Sequence, residues 1–395
     1  MARRLGSRRR NQNQSPCLLY SSAAGDPAPY GSATLRRLST GQLRRVALPD
    51  PPLRGRFVVG SSHGWLATAD ERSDLLLVNP LTGAQIALPS PLTIKNVRGR
   101  YSTDGALQGF DLMELNLETQ DCDAKTYDKD LPLDEGRFYF YVRVAMSGDP
   151  SSSAGNNNSC VVVILHMPRN HVSFARVGDT RWTWIDMDWR CNDYTDVFYD
   201  DSDGLFYAVV DTGDVHTIDL NGTSPVVKEI LRPITSEVSC YNKYIVRAPW
   251  GDILQIWRYD YDKAANCKDG RDERRTLRLE VYTVDVAEQK LTEITDLQDH
   301  VLFIGFNTPL FVPAKDDYPM LTPNCVYATE DSMSHIYCSK FGPHQLAVFN
   351  MTDGTCTDLF QDDRNSWLQW PLPIWIRPSF SQDRYLMWMF KANTS

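Results

Sequence analysis

Helical periodicity is what this chain has least of. No window of adequate length carries an apolar stripe at i, i+3, i+4, i+7 behind a capping residue, and the one short candidate is Leu297–Leu302. No apolar run approaches the ~20 residues that span a bilayer, so no membrane partner is expected. Positive charge is also in deficit. A net charge of -9 disfavours a nucleic-acid partner, because neutralising phosphates takes clustered Lys and Arg. The nine cysteines (Cys17, Cys122, Cys160, Cys191, Cys240, Cys267, Cys325, Cys338 and Cys356) form no CxxC. An odd, scattered count without an apolar secretory segment points to thiols in a reducing compartment, cytoplasmic or nuclear. In that setting the sequons at Asn157, Asn221, Asn350 and Asn393 are chance matches. No glycine-rich phosphate cradle is present, and no cofactor is expected.

What the chain has instead is a recurring rhythm of short apolar runs. Val58–Gly60, Trp65–Ala69, Leu75–Val78 and Ala84–Leu88 are separated by turns, the last being Asn79-Pro80-Leu81-Thr82-Gly83. Four antiparallel strands of this kind have two apolar faces and must stack on neighbours. Tyr194–Gly222 repeats the layout with turns at Ser202-Asp203-Gly204 and Thr212-Gly213-Asp214. Cys240–Ala248, Asp252–Tyr259, Leu277–Asp285 and Lys290–Ile294 supply a further sheet, and Cys325–Phe360 another. At roughly 40 to 50 residues per blade, the expectation is an all-β β-propeller of four-stranded antiparallel blades, seven favoured and six the alternative. Apolar residues at 42% and 10 Trp, 18 Tyr and 15 Phe supply material for packing between such sheets.

Three segments follow. Residues 1–32 are polar and Arg-rich (Arg3, Arg4, Arg8, Arg9, Arg10) with no acid before Asp26, and read as a disordered head, or alternatively as an organellar transit peptide. Residues 33–380 are the propeller and 381–395 a tail. Within the propeller, Leu92–Gly136 reads as an elaborated rim loop broken by one strand near Phe110–Leu117, and Arg137–Ser147 as a strand. Prolines place Trp367–Phe380 outside the ring or across one end of it.

Several blocks in order resemble the plant family described as domain of unknown function 295, the KIB-type, F-box-associated β-propellers. They are GSSHGWLATADE (Gly60–Glu71), LLLVNPLTGAQIALP (Leu75–Pro89), His300–Asp331 and WPLPIWIRPSF (Trp370–Phe380). The resemblance implies a propeller that presents a protein-binding surface, with an F-box joining it to a Skp1-cullin ubiquitin ligase. Met1–Ser32 offers no apolar helical face and no Leu-Pro start, so an F-box, and with it a Skp1-type adaptor, is not expected here.

Chemical motifs are few, and each has a plainer reading. Gly60-Ser61-Ser62-His63-Gly64 fits GxSxG, which would make Ser62 a nucleophile, but that motif needs a strand passing sharply into a helix. Here a second strand follows, and a tight turn accounts for the residues. Cys325, His335, Cys338 and His344 lack the spacing of a zinc ligand set, so no metal is expected. Asp200-Asp201-Ser202-Asp203-Gly204 begins like a calcium loop but holds Asp211 where a bidentate Glu is needed. Glu114, Glu118, Asp121 and Asp123 could pair as glycosidase acids only in the sense that any acidic loop could. The leading expectation is a non-enzymatic protein-interaction scaffold of the substrate-receptor type. The rivals are a hydrolase using Ser62 or the acidic loops, and a degenerate family member without activity.

Overall fold

The structure, a computed structural model, describes residues 16–21, 32–115, 122–153, 159–168, 171–187, 193–234, 242–262, 274–314, 318, 321–333, 336, 346–360 and 370–378. These form seven β-sheets, all antiparallel except for one parallel pair. The first sheet contains β1 (Cys17–Ser21), β2 (Ser32–Arg37) and β3 (Leu43–Ala47), and the second β4 (Phe57–Ser62), β5 (Trp65–Ala69), β6 (Leu75–Val78) and β7 (Gln85–Ala87). A three-stranded third sheet follows, made of β8 (Val97–Tyr101), β9 (Leu107–Leu115) and β10 (Cys122–Pro132). After the one-turn helix α1 (Arg137–Phe140), the fourth sheet has β11 (Arg143–Met146), β12 (Val161–His166), β13 (His171–Arg176) and β14 (Thr183–Trp184). The fifth has β15 (Tyr194–Asp200), β16 (Leu205–Val210), β17 (Val215–Asp219) and β18 (Val226–Leu231), and the sixth β19 (Asn242–Arg247), β20 (Ile253–Asp262), β21 (Arg274–Asp285) and β22 (Lys290–Ile294). The seventh holds β23 (His300–Ile304), β24 (Leu310–Pro313), β25 (Cys325–Thr329), β26 (Leu346–Asn350) and β27 (Cys356–Asp358), with β23 and β25 parallel. The last strand, β28 (Ile374–Ile376), returns to the first sheet and pairs with β1, Trp375 opposite Leu18.

This pairing joins the two ends of the chain and closes a ring, which makes the protein a β-propeller. Its sheets are held by the apolar layers between them. Leu18, Tyr20 and Trp375 of the first sheet pack with Val301, Phe303 and Tyr327 of the seventh, while Leu302, Ile304 and Val326 face Tyr244, Leu254 and Ile256 of the sixth. Phe206, Ala208 and Val210 of the fifth sheet meet Val163, Leu165 and Val172 of the fourth. Each Val, Leu, Ile or Phe among them contributes about 1.5–3 kcal/mol by leaving water.

Along the inner wall β28 lies beside β4, β4 beside β11, β11 beside β15 and β15 beside β19. Seven is therefore the number of sheets and six the number that pass round the axis. The third sheet stands outside that circuit and adds Phe110 and Leu112 to the layer between the second and fourth. Gly60 is what lets β4 and β11 meet: a Cβ there would lie 3.0 Å from the Val144 carbonyl oxygen and 3.2 Å from its Cβ.

Four elements differ from the sequence expectation. Cys17–Ser21, inside the stretch read as disordered, is a fully buried strand. Ile374–Ile376 is neither outside nor across an end, because three of the four residues between Pro373 and Pro378 suffice for an edge strand. The Leu92–Gly136 stretch contains a sheet of its own. Leu297–Leu302 turns directly into β23, whereas Arg137–Phe140 is helical.

Candidate functional site

The segment that follows β25 is buried between blades, with Thr329, Glu330, Asp331 and Ser332 all at 3% exposure or less. Asp331 accepts hydrogen bonds from Arg143 Nη2 (2.5 Å) on β11, from Asn242 Nδ2 (2.9 Å) and the Tyr244 hydroxyl (2.9 Å) on β19, and from Arg258 Nη1 (3.2 Å) on β20. Glu330 accepts from the backbone N–H groups of Asp331 (3.1 Å) and Ser332 (2.9 Å) and fixes the bend. Asp196 on β15 lies 3.7 Å from Arg143 Nε and accepts from the Ile245 N–H (3.0 Å), tying the fourth, fifth and sixth sheets together. From the loop after β23, Asn307 bridges to Ser61 of β4, and Phe306 lies beneath the Arg143 guanidinium at 5.2 Å.

Arg143 and Arg258 thus meet Asp331 and Asp196 in a buried cluster. Burial works against the Arg143 charge, but Asp331 and Asp196 more than offset it and hold the guanidinium's pKa above its ordinary value. Burial pushes Asp196 up to about 7, with Arg143 opposing. Burial, reinforced by the charge of Asp331, raises the Tyr244 hydroxyl far out of its ordinary range, so it acts as a donor. Among the described residues Arg143 Nη1 has no hydrogen-bond partner. The chemistry available is ion pairing between blades. None of these residues was singled out from the sequence. The signal that could have found them is a charge within an apolar strand, Arg143 in YVRVAM and Arg258 in LQIWRY.

Ser62, the sequence-level nucleophile, sits where β4 turns into β5, and its Oγ lies 2.8 Å from His63 Nδ1. His63 at φ 52° and Gly64 at φ 81° supply the two left-handed residues of a tight hairpin turn, for which glycine suits the second position. The next element is the buried strand Trp65–Ala69, so the strand-to-helix elbow of a hydrolase is missing at this position. Burial lowers the His63 pKa, with Asp201 and Asp149 pulling the other way.

The Asp200 loop is an arginine-held turn. Asp200 accepts from the Ser202 N–H (2.9 Å) and from Arg247, which also reaches Asp203 at 3.4 Å. Asp211 lies apart at the end of β16, buried enough to be raised to about 6, with Asp193 adding to the shift. Cys325 is buried at the start of β25, and its supposed co-ligands His335, Cys338 and His344 fall outside the described residues. Glu114 is the last residue but one of β9; Glu118 and Asp121 are likewise outside the described residues, as is the Asp123 side chain. Among the described residues no group of three His, Cys, Asp or Glu side chains could hold a metal ion, no disulfide joins the cysteines, and no helix is long and apolar enough to cross a membrane.

A ring of stacked sheets, closed by the pairing of β1 with β28, defines a β-propeller. The KIB1-4 beta-propeller family matches residues 35–350, and the chain belongs to that family. It is 24% identical over 228 residues to F-box protein SKIP23 of Arabidopsis thaliana, covering 55% of this chain and 53% of that one. It is 18% identical over 211 residues to the putative F-box protein At5g55150 of the same plant, covering 53% and 55%. The chain spans about half the length of these curated relatives. A functionally unknown protein from Desulfotomaculum acetoxidans aligns over 92% of this chain and 99% of its own at 8% identity, with a TM-score of 0.39.

Proposed function

We propose that this protein is a non-enzymatic interaction scaffold that binds another protein through its outer surfaces, in the manner of a substrate receptor. The observation that carries the reading is the buried network between the blades. Asp331 is engaged by Arg143, Asn242, Tyr244 and Arg258, and Asn307 bridges to Ser61, so these residues serve to join sheets, which leaves the turn faces and the sheet edges for binding. The relatives named as F-box proteins support a protein-binding role. The test is affinity capture from plant extract at mild salt with mass spectrometry, repeated with Ser62→Ala. A reproducible partner retained by the variant is the expected result. Failure to recover any partner in repeated captures would overturn it.

A hydrolase is the second reading, favoured by the 2.8 Å contact between Ser62 Oγ and His63 Nδ1. It requires turnover of an ester or peptide probe that Ser62→Ala abolishes at unchanged fold.

A further inference from the structure

Asn221-Gly222 is the single Asn-Gly pair in the sequence. It opens the turn between β17 and β18, where Asn221, Gly222, Thr223 and Ser224 are all exposed. The Asn221 side chain is a latch. Its Nδ2 donates to the Gly204 carbonyl (3.0 Å), in the turn between β15 and β16, and to Asp219 Oδ1 (3.0 Å), which also accepts from the Asn221 N–H (2.9 Å). Two turns of the fifth sheet are thereby held together at one rim. The next N–H along the chain is free: among the described residues nothing accepts from Gly222. Glycine also brings no side chain to crowd that nitrogen. Other asparagines lack this combination, since Asn79 precedes Pro80, which has no N–H, while Asn96 and Asn307 are buried before Val97 and Thr308.

We propose that Asn221 is a self-modifying site, whose side-chain amide is displaced by the backbone nitrogen of Gly222 so that the latch becomes a negative charge. The Gly222 nitrogen gives up its proton and bonds to Asn221 Cγ; the Cγ–Nδ2 bond breaks, and the amide nitrogen leaves as ammonia carrying that proton. Solvent water then opens the five-membered imide. Addition at Cγ restores the main chain and leaves an aspartate side chain, whereas addition at the backbone carbonyl carbon leaves the main chain running through Cγ, as isoaspartate. In either case a ring C–N bond breaks, the nitrogen regains a proton and a carboxylate remains, with no oxidant or reductant consumed. The product offers the Gly204 carbonyl no donor and sets its carboxylate against that of Asp219, so the two turns part. The latch also sets the rate. The ring closes only while Nδ2 is released, and hydrogen bonds on an exposed turn open locally, without global unfolding. Asparagine is among the thermolabile residues, and here its loss takes the net charge one unit below -9. No partner is needed, so the site stands whether or not the protein is an interaction scaffold.

The test incubates the whole chain over a series of pH values around neutrality and follows the peptide carrying Asn221 by mass spectrometry, with enzymatic methyl labelling of isoaspartate. The expected result is conversion at Asn221 ahead of Asn79, Asn96, Asn242 and Asn307, as a mixture of aspartate and isoaspartate, at a rate that rises with pH because the Gly222 nitrogen must lose its proton. Gly222→Ala should all but abolish conversion at unchanged fold, since a Cβ there would lie 3.6 Å from the Ser224 carbonyl oxygen, an ordinary contact. Asp219→Ala, which removes part of the latch, should speed it. Asn221→Asp should quicken hydrogen exchange at residues 201–205 and 219–225 while Leu205–Val210 beyond the turn keeps the rest of its protection. Conversion to aspartate alone, an Asn221 amide that outlasts the other four, or a wild-type rate in Gly222→Ala would overturn the imide route. Should Gly222→Ala fail to fold, the product mixture and the pH slope of the wild type decide the same point. A rate unmoved by Asp219→Ala, or exchange unmoved by Asn221→Asp, would overturn the latch.

Discussion

Replacing Asp331 by Asn removes one negative charge from the buried cluster and leaves the shape nearly unchanged. In the wild type, Asp331 faces donors from Arg143, Asn242, Tyr244 and Arg258, and its side chain and those of both arginines are at most 5% exposed. The amide keeps one acceptor oxygen but turns an NH2 group toward those donors; Arg143 is left with Asp196 at 3.7 Å, and Arg258 loses its ion pair with Asp331. Breaking a buried ion pair by removing one partner costs about 3–5 kcal/mol. At roughly 2–4 °C per kcal/mol for a large domain, the melting temperature should fall by on the order of 10 °C. Denaturant unfolding followed by circular dichroism gives the free energy, and a thermal scan gives the shift. The loss should persist in high salt, because the pair is shielded from mobile ions. A loss under ~1 kcal/mol, or one that salt abolishes, is the behaviour of an exposed pair and would refute the buried cluster.

Three other outcomes follow from the same geometry. Asp196 has a folded pKa raised to about 7 by burial, so the folded state binds a proton that the unfolded chain releases. Its contribution falls as pH rises from the ordinary carboxylate range to about 7, and the pH-stability curve of Asp196→Asn should lack that decline; matching slopes for the two proteins between those limits would contradict the assignment. Ser62→Ala should change stability by less than ~1 kcal/mol, one net hydrogen bond at a half-buried turn, as read by the denaturation midpoint. Gly60→Val should cost about 1–3 kcal/mol by forcing β4 away from Val144 of β11, and a neutral result would mean that the two strands do not abut.

The sequence made the blades legible where apolar runs alternate with turn residues. Trp65–Ala69 and Leu75–Val78 were read at their observed bounds, since Asp70–Asp74 and Asn79–Gly83 punctuate them. Cys17–Ser21 was not legible, because CLLYS is a lone apolar run in a polar head and its partner Ile374–Ile376 lies at the far end of the chain. Ile374–Ile376 was hidden by its flanking prolines. The parallel β23–β25 pair has no local signature, since parallel neighbours must be joined by a crossover. The Asp331 network was the least visible feature. Arg143, Asp196, Tyr244 and Arg258 come from three sheets and Asp331 from the segment after β25, and only the folded ring brings their charges together. At Ser62 the sequence motif and the turn share the same residues, and the following strand decides between them.

The account depends most on a ring that is closed by β1 and β28 and tied together by the buried Asp331 network. Native-state hydrogen exchange read by mass spectrometry tests both at once. The amides of Cys17–Ser21, Ile374–Ile376 and Asp331–Ser332 should exchange as slowly as those of Trp65–Ala69, through global unfolding alone. Early exchange of the first three segments while Trp65–Ala69 stays protected would mean an open ring with an accessible Asp331 network.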